Sequence, residues 1–219
     1  MSRKSPNKKA TETSPNKVFG SNGVLYSFPQ GDKGPINIQI DFSKVDEPQS
    51  YYYADSFLLN AVDQGMVTVS FGRRDAATSK FADRLDIVMP VKSLFGAFWA
   101  SVLSNEIDET VNKLLEIGGP LSKLGAVSEP DTLAQTFFGN VLFLAIGDGD
   151  STLDFYHLSA RQIHMGKTLK KDIQLLPSVR VIISTVLTHH FLDAVRSNAA
   201  DQPFINRNLE GSRRAANSR

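Results

Sequence analysis

The chain contains no cysteine. That excludes a disulfide framework, a thiolate nucleophile and any metal centre built on cysteine sulfur. Long apolar runs are also missing. No stretch approaches the roughly 18 residues that a membrane-spanning helix needs, so no membrane partner is expected. The start, Met1-Ser-Arg-Lys-Ser-Pro-Asn-Lys-Lys9, lacks the apolar segment of a secretory signal, and a cytoplasmic location is expected. Histidine is scarce, with four residues in 219. His189 and His190 are adjacent, and neighbours on a helix point about 100° apart, so the two cannot grip one metal ion from one face. His157 and His164 are read as structural or surface residues. Strings for an activated serine, a phosphate-binding loop or a dinucleotide site do not occur. The reading therefore carries no cofactor and no metal.

Charge is nearly balanced overall but unevenly placed. The net formal charge is +1. Residues 1–17 hold Arg3, Lys4, Lys8, Lys9 and Lys17 against Glu12, which is +4. Residues 200–219 hold Arg207, Arg213, Arg214 and Arg219 against Asp201 and Glu210, which is +2. The body between them is left at −5. With little to bury, residues 1–20 read as a disordered basic tail and 200–219 as a flexible one. Through such tails nucleic acid is one candidate partner.

What the chain does have is a repeat. Residues 57–71 and 141–155 share, at an offset of 84, Leu58/Leu142, Ala61/Ala145, Gly65/Gly149, Thr68/Thr152 and Phe71/Phe155. Each copy reads as strand, glycine turn, strand. Each is followed by an apolar run ending in proline, Leu85-Asp-Ile-Val-Met-Pro90 and Asp172-Ile-Gln-Leu-Leu-Pro177, now at an offset of 87. Proline suits the first position of a helix, where its missing N–H costs nothing. After Pro90, Leu94, Phe95, Phe98, Val102 and Leu103 recur at helical spacing with Trp99 beside them. The period continues through Ile107, Val111, Leu114 and Leu115, with a bend near Ser104 and an end at Gly118-Gly119-Pro120. After Pro177 a helix is expected over 179–195, with Val181, Ile182, Val186, Leu187 and Phe191 on one face. The β-branched run over 181–186 leaves a strand open there.

Upstream, residues 24–28 read as a short strand. Residues 36–42 alternate strictly, with Ile36, Ile38, Ile40 and Phe42 on one face. Tyr51, Tyr52 and Tyr53 are expected to straddle a strand, one ring inward and its neighbours at the rim. The organisation follows: a basic tail over 1–20, a first β-rich unit with a helix over 21–120, a linker over 121–139, a second β-β-β-α unit over 140–199, and a basic tail. The fold class is α+β, two related antiparallel β-β-β-α units packed as a pseudo-dimer.

Chemistry concentrates in one string, Asp148-Gly-Asp150-Ser-Thr152, after the apolar run 141–146. It resembles the nucleophile loop of haloacid-dehalogenase-type phosphatases. That resemblance implies Asp148 as nucleophile, Asp150 as acid/base and magnesium as partner. Its bare residues read as a hairpin turn, in which Asp148 bonds nearby backbone N–H groups; its oxygens could also take calcium weakly. Candidate binding residues are Arg73, Arg74 and Lys80 in a polar loop and the three tyrosines, whose rings could stack on bases.

The order of short strands, then Ile87-Val-Met-Pro90 or Leu175-Leu-Pro177, then an apolar helix, is similar to two bacterial groups. One is an uncharacterised family of strand-rich domains with a C-terminal helix. The other is the export chaperone SecB. The likeness covers roughly residues 55–104 and 140–196. It implies a protein that holds other chains in apolar grooves and assembles through strands and helices, here as a fused double copy. The leading expectation is a non-enzymatic macromolecule-binding protein, an interaction, adaptor or chaperone-like module whose partner is another protein, with homo-oligomers left open. The alternatives are a magnesium-dependent phosphohydrolase around Asp148 and Asp150, and a nucleic-acid-associated protein using the tails.

Overall fold

The computed structural model describes residues 24–29, 35–40, 45–62, 65–75, 77–78, 80–104, 106–118, 134–147, 149–159, 161–162 and 175–200. Both tails, His164 and Asp148 lie outside the described residues. The fold class is α+β. The strands are β1 (Val24–Pro29), β2 (Pro35–Ile40), β3 (Tyr51–Tyr53), β4 (Ser56–Val62), β5 (Met66–Arg74), β6 (Phe81–Pro90), β7 (Gln135–Phe138), β8 (Val141–Ile146), β9 (Asp150–His157) and β10 (Leu176–Ser184). A π-helical stretch, Lys92–Phe98, runs into α1 (Trp99–Ser104), followed by α2 (Ile107–Gly118); α3 (Thr185–Ala200) ends the described chain.

Strands β1 and β2 form a hairpin of their own. The other eight form two sheets of four, in the orders β4-β5-β6-β7 and β8-β9-β10-β3. Each is an antiparallel meander of three strands whose third strand takes a parallel edge strand. The parallel strand always comes from the other half of the chain: β7 precedes the second meander but joins the first, and β3 does the reverse. Three pairs of backbone bonds correspond between the halves. Ala54 N–H donates to Ile182 at 3.0 Å as Gly139 N–H does to Val88 at 3.1 Å. Asp55 N–H donates to Gly72 at 3.1 Å as Asn140 N–H does to Tyr156 at 2.9 Å. Val91 N–H donates to Gly65 as Thr185 N–H does to Gly149, joining each helix start to its hairpin turn. Side chains follow the scheme too: Asp55 Oδ1 accepts from Arg74 N–H at 2.8 Å, and Asn140 Oδ1 from Leu158 N–H at 2.7 Å.

Alternation decides which side of each strand is buried. Val67, Val69 and Phe71 on β5, and Leu85, Ile87 and Met89 on β6, point into one core. Leu153 and Phe155 on β9, with Val179, Val181 and Ile183 on β10, point into the same core. Phe191 of α3 lies within about 6 Å of the rings of Phe57, Phe71 and Phe98, and so ties the first sheet and the first helical segment to the last helix. Trp99 is buried in this core, as its place beside the apolar stripe predicts. A second cluster covers the other face of the β8 sheet, where Ile40 and Val45 pack with Val141, Phe143, Tyr156 and Leu158.

Three expectations are corrected. The stretch after Pro177 does not start a helix: β10 runs on to Ser184, and α3 begins at Thr185. Val179, Val181 and Ile183 are buried at period two, and β-branched side chains fit that pleat better than a helix face. Pro177 sits at a register shift in the strand, where a missing N–H is tolerated. The two helices therefore start at Val91 and Thr185, not at the offset the prolines suggested. Second, the end of the expected linker 121–139 forms β7. Third, the polar loop expected from residue 72 begins later, since β5 continues through Arg73 and Arg74. The bend near Ser104 is present: Glu106, with φ of 53°, separates α1 from α2.

Candidate functional site

The three tyrosines lie on β3 as alternation requires. Tyr52 is half-buried, while Tyr51 and Tyr53 are 53% and 66% exposed. Two ion-pair networks anchor the strand, one on each of its faces.

On the outer face, Arg180 of β10 stands opposite both Tyr51 and Asp154. Its Nε and Nη2 donate to the two carboxylate oxygens of Asp154, each at 2.6 Å, in the forked geometry that suits a guanidinium. Asp154 is buried. The remaining Nη1 reaches outward to Glu47 at 3.0 Å, and Glu47 is 65% exposed. The guanidinium carbon lies 5.8 Å from the centre of the Tyr51 ring, a cation–π contact. The bond to Asp154 holds Arg180 above the ordinary arginine range. Burial, followed by the charge of Asp154, pushes the neighbouring Tyr156 hydroxyl above the tyrosine range.

On the inner face, the Tyr52 hydroxyl donates to Asp83 at 2.6 Å. Arg73 pairs with the same carboxylate, its Nε donating at 2.8 Å. The Arg73 bond holds the Asp83 carboxyl below the usual range. Burial, with the bond to Asp83, pushes the Tyr52 hydroxyl up.

The sequence-predicted residues thus divide. Tyr52 comes together with Arg73 at Asp83, to which Arg73 is bonded, while Tyr51 meets Arg180 on the other face. The backbone of Arg74 is clamped by Asp55. Lys80 is exposed on the loop between β5 and β6, where its carbonyl accepts from Asp75. Asp150 is exposed at the start of β9, and its carbonyl accepts from Gly147 at 2.7 Å in the β8–β9 hairpin. The strand before it, β8, is antiparallel to its neighbour. Of the histidines, His189 Nδ1 meets Asn112 of α2 at 3.0 Å, and His157 packs edge-on against Phe138. Among the described residues no group of three or more His, Asp or Glu side chains is placed to hold a metal ion. No described helix is long and apolar enough to cross a membrane.

Sequence reasoning missed Arg180, Asp154 and Glu47. Glu47 and Arg180 are 133 residues apart, and a link of that span has no local signal. Compared with known proteins, the chain matches no family model, no curated protein and no solved structure.

Proposed function

We propose that the chain is a non-enzymatic protein-binding module, of the interaction, adaptor or chaperone-like kind. In this reading the two strand-exchanged halves form a pseudo-dimer within one chain, a rigid frame that presents β3 to a protein partner. One observation carries it: two aromatic side chains, Tyr51 and Tyr53, stand more than half exposed on an edge strand whose base is fixed by two carboxylate networks. Exposed tyrosines on an ordered base are what partner surfaces use, since they supply contact area with little rotamer entropy to lose. Among the described residues, the acids and histidines that could do chemistry are spread over separate elements, which favours binding over catalysis.

A photo-crosslinking residue placed at position 53 tests this, with the same residue at Glu109, exposed on α2, as control. We expect a discrete protein adduct in cells from position 53 and none from position 109. Position 53 giving no adduct, or both positions giving the same smear, overturns the reading.

A further inference from the structure

Strand β3 is the edge of its sheet, and only one of its two sides is bonded to β10. Arg180 N–H donates to Ser50 and Ala54 N–H donates to Ile182. In a parallel ladder the residues that face the neighbour alternate, so Ser50, Tyr52 and Ala54 turn their backbone groups to β10. The N–H and C=O groups of Tyr51 and Tyr53 point the other way. Among the described residues none bonds to these outward groups, and such a row is a template for one more strand.

The corresponding edge in the other sheet has one of its outward groups engaged by a side chain. There the Phe138 carbonyl accepts from Ser178 Oγ at 3.1 Å, and the Phe138 ring packs on His157 at 5.3 Å. Phe138 and Tyr53 hold equivalent places, opposite Val88 and Ile182. The two edges therefore differ at this place: the Phe138 carbonyl has a side-chain donor, and no described residue donates to that of Tyr53.

Charge says what the open edge would take. The continuous stretch 45–62 carries Asp46, Glu47 and Asp55, all exposed, and neither lysine nor arginine. Arg180 and Arg73, which meet Tyr51 and the Tyr52–Asp83 pair, are each bonded to carboxylates. The Tyr51 ring already receives one guanidinium, and the Tyr53 ring is open to another cation. Two other occupants are disfavoured by the same carboxylates. A second copy pairing β3 to β3 would set like charges against each other, and so would a nucleic-acid backbone.

Deepening the protein-binding reading on which it rests, we infer that β3 accepts an extended protein segment as an added strand, one with lysine or arginine at alternate positions. The backbone of Tyr51 and Tyr53 supplies the ladder. Asp46 pairs with a cation, Glu47 and Asp55 add to the negative field while keeping their bonds to Arg180 and Arg74, and the tyrosine rings receive the stems.

The experiment uses the full chain and a dye-labelled ten-residue peptide alternating lysine and valine, read by fluorescence anisotropy. The controls are the same peptide with glutamate for lysine, and a single-stranded oligonucleotide. We expect the lysine peptide alone to bind, and to weaken as salt rises. Tyr53→Ser should weaken it roughly threefold, the scale of one exposed cation–π contact. Tyr53→Pro should abolish binding by removing an edge N–H that β10 does not use, and its thermal melt should match that of Tyr53→Ser. If Tyr53→Pro fails to fold, Asp46→Lys with Glu47→Lys serves instead, and should shift preference to the glutamate peptide. The inference is overturned by no binding of the lysine peptide, by binding indifferent to these variants, or by preference for the glutamate peptide or the oligonucleotide. A crosslinked adduct at position 53 alongside any of those results would leave the binding reading standing and sink only the basic segment.

Discussion

The two halves of this chain run the same backbone scheme with different side chains, and the differences are concentrated on the outer faces of the sheets. In the second sheet Arg180 and Asp154 pair side by side. In the first sheet the places opposite one another are taken by Asp86 and Ser70, and Asp86 pairs instead with Arg84 along its own strand at 3.1 Å. The second sheet also carries an apolar patch, Val141, Phe143 and Tyr156, covered by the residues around β2. Its counterpart in the first sheet is Ser56, Leu58 and Gly72. On β4 and β8 the strands match at an offset of 85, so Leu142 stands where Phe57 does, and the expected pairs Leu58/Leu142 and Ala61/Ala145 are out by one residue. The inward faces, by contrast, keep their type: Phe71 and Phe155 are both fully buried and lie 6.0 Å apart. A shared core demands like residues at like places, while the outer faces are free to diverge.

The largest expected effect tests the Arg180 network against its counterpart. Asp154→Ala strands a guanidinium that is mostly buried, and should cost about 3 kcal/mol, the low end for breaking a buried pair. Ser70→Ala, at the corresponding place, should cost less than about 1 kcal/mol. Urea unfolding of both variants measures the contrast. Equal costs would mean that the second sheet does not depend on its ion pair.

Next comes the place where one half has glycine and the other tyrosine. A Cβ on Gly72 would stand 2.1 Å from the Phe81 ring and 2.6 Å from the Asp83 carbonyl. Backbone cannot yield as a side-chain tip can, so Gly72→Ala should destabilise by about 2 kcal/mol. An unchanged unfolding midpoint would show that β6 moves aside freely. Below these in size, Tyr53→Ser and Phe138→Ser should separate in function more than in stability. Both side chains are about half exposed or more, and each change should stay within roughly 1 kcal/mol. Only Tyr53→Ser should lower peptide binding.

The hairpins were legible in the sequence because they are local. Alternation marked β5, glycine marked the turn at Gly65, and the inward ring of Tyr52 followed from strand geometry. The third strand of the second half was misread because Pro177 looked like a helix start, although the period-two run of β-branched residues beyond it was visible. Strand β7 left almost no signal, being four residues long and paired in parallel to a strand from the other half. The exchange of β3 and β7 could not be read from periodicity at all, since alternation says which face is buried and not which strand is the neighbour. The same limit hid the site: three tyrosines were plain, while the arginine beneath them came from 129 residues further along.

A further substitution makes one half imitate the other. Tyr52 faces Val181 as Phe137 faces Ile87, so the two rings hold equivalent places and differ by one hydroxyl. Tyr52→Phe should leave the packing of β3 intact and remove the bond to Asp83, costing about 1 kcal/mol at neutral pH. Its acid dependence carries a sign. Asp83 has a depressed carboxyl pKa in the folded chain, so its bonds stabilise above the unfolded value of about 3.9, and that stability is lost as pH falls through the folded value. Removing one of those bonds raises the folded value toward the unfolded one. Wild type and variant should therefore converge in stability in acid and differ most near neutrality. A gap that stayed constant down to strongly acid pH would mean that the hydroxyl acts through packing and not through the carboxylate, and that β3 and β7 differ in less than the Tyr52–Asp83 bond implies.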